Sequence, residues 1–127
     1  MGEARAETTI EKPADEIWAK IGDFGDLSWM GGVDSCTVEG DDRTLNMHGM
    51  EIVERQLRRD DANRTLTYGI VGGAITVDHH QATITVTPKG NTSSWITWDV
   101  EADDNMVEGM KGAYQGALDS LKSQLEG

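Results

Sequence analysis

Three side chains in this sequence are of types that could move protons or steady a developing negative charge: His80, Tyr68 and Arg43. The alternation His80, Ala82, Ile84 puts the imidazole on the same strand face as core residues. An inward histidine is either a hydrogen-bonded core residue, or a polar anchor or general acid–base in a water-poor pocket, since its ordinary pKa lies near neutrality. Tyr68 shares a face with Leu66 and Ile70, which makes it a core aromatic with its hydroxyl at the rim or a donor to a ligand carbonyl. Arg43 either pairs with one of the many acidic residues or meets a ligand carboxylate at a pocket mouth. Asp78 either shares the His80 face and orients the ring, or is exposed near the start of its strand. His79 falls on the opposite, solvent face, so the two adjacent histidines cannot chelate one ion together. Only His48 would remain as a partner, and no metal is expected.

Familiar catalytic signatures are missing. The chain has no Gly-x-Ser-x-Gly, no His-Glu-x-x-His, no phosphate-binding loop and no dinucleotide fingerprint, so no cofactor is expected. Cys36 is the single cysteine, which excludes an intramolecular disulfide and a multi-cysteine zinc site, and it reads as a small strand residue rather than a nucleophile.

The 127 residues suit a single domain, 1–127, long enough to build a core without staples. Eleven basic against twenty-three acidic residues give a formal charge of −12, a field that repels phosphate backbones and anionic headgroups. Nucleic-acid binding and membrane insertion are therefore not expected. Neither a signal peptide nor a span-length apolar run is present, so the expected location is cytoplasmic, as a monomer or weak dimer.

These residues must be positioned by mostly β structure. A first strand over residues 5–10 leads into a helix opened by Pro13, with Ile17, Trp18 and Ile21 on its apolar face. Residues 25–30 could form a second short helical turn before Gly31-Gly32. Strands are then expected over 33–38, 43–48, 50–59, 64–71, 75–87 and 93–102, punctuated by Gly40-Asp41-Asp42, Gly49, Asp60-Asp61-Ala62-Asn63, Gly72-Gly73 and Pro88-Lys89-Gly90-Asn91. In the last strand Ile96, Trp98 and Val100 share one face and Trp95 lies on the other.

The closing element is an amphipathic helix. Asn105 to Glu108 resembles a capping box, and Met106, Met110, Tyr114, Leu118, Leu121 and Leu125 form one stripe over about five turns. One such helix after six consecutive strands has the concave face of the sheet as its resting place. Gly109, Gly112 and Gly116 each weaken a helix by about 1 kcal/mol relative to alanine. They signal either close approach to a strand or an open volume between helix and sheet. The resulting class is α+β, an antiparallel sheet of about seven strands over a long C-terminal helix.

With this order of elements, the sequence resembles the polyketide cyclase/dehydrase-like branch of the START-like (SRPBCC) superfamily. The resemblance rests on Lys12-Pro13-Ala14-Asp15-Glu16-Ile17-Trp18, Gly22-Asp23-Phe24 and Leu27-Ser28-Trp29. It continues through Arg43-Thr44-Leu45, Val53-Glu54-Arg55-Gln56-Leu57 and Leu66-Thr67-Tyr68-Gly69-Ile70, and closes with Ala82-Thr83-Ile84-Thr85-Val86 and Ser94-Trp95-Ile96-Thr97-Trp98. It implies a helix-grip fold with a cavity that takes lipids, polyketides, hormones or other hydrophobic molecules. Where relatives often carry an aromatic before Ala82, this chain has His79-His80.

The leading expectation is a binding or carrier module for a small hydrophobic molecule, a lipid, polyketide or aromatic. Trp29, Tyr68, Trp98 and His80 would hold it from the sheet side, and Met106, Met110 and Tyr114 from the helix. The alternative is a metal-free polyketide cyclase or dehydratase in which His80, Tyr68 or Arg43 stabilises an enolate and moves protons. Two or more polar groups converging in the cavity would favour that enzyme; an apolar cavity with one anchor would favour binding. A co-chaperone-like interaction module would instead have a filled cavity and an exposed apolar patch.

Overall fold

Alternating inward apolar residues give the chain its strands, and their register closes them into one sheet. The structure, a computed structural model, describes residues 2–127. Seven strands run β1 (Gly2–Ile10), β2 (Val33–Glu39), β3 (Asp42–Met47), β4 (Met50–Asp60), β5 (Thr65–Gly73), β6 (His80–Pro88) and β7 (Ser94–Ala102). Helix α1 (Ala14–Ile21) follows β1, and α2 (Val107–Glu126) ends the chain. The sheet is antiparallel throughout, in the order β1-β7-β6-β5-β4-β3-β2. Ala82, Ile84 and Val86 of β6 and Ile96, Trp98 and Val100 of β7 face the core, where they meet Tyr114, Leu118 and Leu121 of α2.

The turns follow from their residues. Gly40 (φ 64) joins β2 to β3, and His48 (φ 51) with Gly49 (φ 80) joins β3 to β4. Two successive left-handed residues in a two-residue loop match the twist of a hairpin. Pro13 precedes α1, with its carbonyl accepting the amides of Glu16 and Ile17. Residues 25–30 form turns rather than a second helix.

Strand β1 is an edge, and α2 covers it. Gln115 bonds both the amide and the carbonyl of Glu7, Lys122 donates to the Thr9 carbonyl, and Glu126 accepts the Glu11 amide. Alternate residues from Glu7 in β1 to Glu11 just beyond it thus find partners on one line of the helix, which closes an edge that would otherwise be open to pairing.

Two expectations need correction. The strand expected over 75–87 begins only at His80. The β5–β6 ladder runs no further than Tyr68 opposite Ala82, and β7 ends at Ala102 opposite His80, so residues 75–79 have no strand to pair with. The Asp103 carboxylate instead takes the amides of Asp78 and His79 at 2.9 Å each. The capping box is also absent: no side chain caps α2, and the amides of Met106 and Val107 bond the Asp103 carbonyl.

Candidate functional site

A cavity of about 550 Å³ lies between α2 and the β3–β5 part of the sheet. Its exposed lining residues, Gly31, His48, Asn105, Gly109, Ala113 and Gly116, form the mouth. Leu45, Ile52, Ile70, Met106 and Met110 make apolar walls. Gly109 and Gly116 of α2 resolve in favour of open volume: both line the cavity, and a Cβ at either would meet nothing within 4 Å, whereas Gly112 is exposed outside it.

The buried end of the cavity is polar. Arg43 and Glu54 lie opposite one another on β3 and β4, 4% and 8% exposed. Arg43 Nε and Nη2 both sit 2.8 Å from Glu54 Oε1, and Nη1 donates to the Phe24 carbonyl at 3.1 Å. The guanidinium also stacks over the rings of Phe24 and Tyr68, at 4.1 and 5.0 Å. Burial raises the Glu54 carboxyl above the usual range, and Arg43 opposes that rise. Of the two readings of Arg43, the structure shows the ion pair.

Tyr68 and Tyr114 also line this end. Tyr68 is not at a rim: its hydroxyl is inside and accepts the Trp98 Nε1 proton at 3.1 Å. Burial holds both phenols protonated, with pKa values raised well beyond the ordinary tyrosine value. Behind Tyr114 stands Trp98, stacked at 4.1 Å with the rings 3° apart, and Trp29 lies 5.8 Å from Trp98.

His80, 7% exposed, is also set behind the wall. Its Nδ1 accepts the Ile70 amide at 3.1 Å, and its Nε2 lies 2.9 Å from the Tyr114 hydroxyl. Ile70 sits just past the end of the β5–β6 ladder, so the imidazole supplies the acceptor that a strand carbonyl would have been. Desolvation, and secondarily His79, lowers its pKa to about 4, leaving the ring neutral at pH 7. Asp78 is exposed and does not orient it; the Ile70 amide does. His79 points away and lies 3.6 Å from Glu101.

Tyr68, Met106, Met110, Tyr114 and Arg43 therefore border the cavity, whereas His80, Trp29 and Trp98 buttress it. Glu54 escaped the sequence reading, although the alternation Ile52, Glu54, Gln56 and its place opposite Arg43 marked it as inward. Among the described residues no group of three His, Cys, Asp or Glu side chains is placed to hold a metal, and no helix is long and apolar enough to cross a membrane.

Comparison with known proteins supplies the lineage. A structure of an uncharacterised protein from Bacillus thuringiensis matches with a TM-score of 0.92 at 23% identity, over 99% of this chain and 100% of that one. A START superfamily protein from Mycobacterium smegmatis matches at 0.82 and 13% identity, over 98% and 97% of the two chains. Norcoclaurine synthase from Thalictrum flavum, in complex with dopamine and hydroxybenzaldehyde, matches at 0.77 and 18%, over 98% and 86%. No curated protein sequence matches this chain. The family model described as polyketide cyclase / dehydrase and lipid transport matches residues 1–126. With its curved seven-stranded sheet gripping α2, the chain belongs to the polyketide cyclase/dehydrase and lipid transport family, on the START-like helix-grip fold.

Proposed function

We propose that this chain binds a small hydrophobic molecule in the cavity beneath the first half of α2. The observation that carries the reading is the cavity itself, about 550 Å³, with apolar walls and a mouth of small residues. Pockets of roughly 300–1,000 Å³ bury most of a drug-sized ligand. Membership of a family that includes lipid transport supports the same reading.

A second reading, a cyclase or dehydratase acting on a bound poly-ketone, is favoured by one observation. Arg43, Glu54, Tyr68 and Tyr114 converge at the buried end, which is more polar chemistry than a single anchor. The co-chaperone-like reading loses its support, because it requires a filled cavity.

The test uses 6-propionyl-2-dimethylaminonaphthalene, an uncharged dye whose emission shifts to the blue in apolar surroundings. Titration into the protein should give a saturable blue shift, and Gly116→Phe, which places a ring at the open mouth, should abolish it while leaving the fold intact by circular dichroism. An equal shift with both proteins would place the dye elsewhere and count against the cavity. Turnover of an aromatic poly-ketone, lost in Tyr68→Phe/Tyr114→Phe, would establish the second reading.

A further inference from the structure

The hydrogen bonds behind the cavity wall fix the direction of its protons. Nδ1 of His80 accepts the Ile70 amide, so the proton of the neutral ring is on Nε2 and points at the Tyr114 oxygen. An indole N–H only donates, so Trp98 gives its proton to the Tyr68 oxygen. Each oxygen thus receives an N–H and still has its own proton to donate. Among the described residues neither hydroxyl has an acceptor for that proton, and both rings line the cavity.

A buried donor without an acceptor is costly, and water or a ligand must satisfy it. The N–H groups behind each hydroxyl polarise it and make the free O–H a stronger donor. An anionic ligand is poorly matched to this wall. The Arg43 charge is already taken by Glu54, Glu54 Oε2 has no hydrogen-bond donor among the described residues, and the chain as a whole carries −12.

We propose that the Tyr68–Tyr114 pair is an oxygen-recognition site, and that the ligand is an uncharged hydrophobic molecule whose carbonyl-type oxygen accepts a hydroxyl proton from the pair. The inference rests on the binding reading above and narrows its ligand class. His80 and Trp98 act as positioning residues: by donating to the two hydroxyl oxygens they leave the hydroxyl protons free for the cavity.

The experiment is calorimetric titration with a matched pair of probes, 2-acetylnaphthalene and 2-isopropenylnaphthalene, which differ by C=O against C=CH₂, together with 2-naphthoate. Wild-type protein should bind the ketone about tenfold more tightly than the alkene, the size of one good hydrogen bond, and should bind the carboxylate more weakly than the ketone. Either single variant, Tyr68→Phe or Tyr114→Phe, leaves one hydroxyl with a free proton and keeps the preference. Tyr68→Phe/Tyr114→Phe loses it. Should the double variant fail to fold, the carbonyl infrared stretch of the ketone bound to wild-type protein decides: a shift to lower frequency than in hydrocarbon solvent is expected. Equal binding of ketone and alkene, or an unshifted stretch, overturns the oxygen site but leaves the pocket standing. Binding of none of the probes overturns both.

Discussion

From Leu118 onward, α2 is sealed to the sheet; before it, one side of the same helix stands beside open space. Leu118 and Leu121 are fully buried, Gln115 and Lys122 bond the backbone of β1, and Glu126 bonds that of Glu11 just beyond it. On the other side Gly109 and Ala113 border the cavity mouth, with Met106 and Met110 in its wall. One helix thus divides its work, the second half closing the fold and the first half leaving it unfinished. The residue types account for the division. Leucine fills space and long polar side chains reach the strand edge, whereas glycine fills nothing and methionine adapts to whatever lies beside it.

The contrast is broken most severely from the sealed side. Leu118→Ala should destabilise the protein by about 3–5 kcal/mol in urea unfolding, as expected for a large-to-small change in a core that cannot collapse. A loss below about 1 kcal/mol would mean that the second half is not the closed region described.

Next in size is the cavity wall at Tyr114, held from behind by His80. The His80 pKa is about 4 in the folded chain against about 6.5 for a free imidazole. Between those values the unfolded state binds more protons, so this contribution is full above pH 6.5 and is lost as pH falls toward 4, in total about 3 kcal/mol. His80→Gln keeps an acceptor for the Ile70 amide and a donor for Tyr114 but does not titrate. Its stability profile should be flatter than wild type by that amount across the window, and parallel profiles would contradict the placement of His80.

Gln115→Ala removes both bonds to Glu7 and should cost about 1–2 kcal/mol, with faster hydrogen exchange of the Glu7 amide than of its neighbours. The smallest effect has the opposite sign. At Gly112 an added Cβ meets nothing, so Gly112→Ala should stabilise the protein by about 0.5–1 kcal/mol without altering dye binding. Destabilisation there would show that the outer face of the first half is not open to solvent.

Much of this arrangement was legible in the sequence because periodicity reports which way a side chain faces. Ile96, Trp98 and Val100 marked the inner face of β7, and the leucine spacing marked the sealed side of α2. Gly109 and Gly116 flagged the open side, though spacing alone left close approach equally possible. Alternation also turned Tyr68 and His80 inward, but it carries no depth, so it could not say that His80 stands behind Tyr114 while Tyr68 borders the cavity. The loss of ladder pairing before His80 was not legible, because it depends on where β7 ends and α2 begins. Glu54 was legible in principle; a surplus of acidic residues made an inward carboxylate look like one more surface charge.

Native mass spectrometry of the purified protein, wild type beside Gly116→Phe, tests the central claim most directly. A saturable one-to-one adduct of an uncharged hydrophobic molecule on the wild type, absent from the variant, is the expected result. An unliganded mass for both proteins even after incubation with 2-acetylnaphthalene, or the same adduct on both, would contradict a binding cavity beneath the first half of α2.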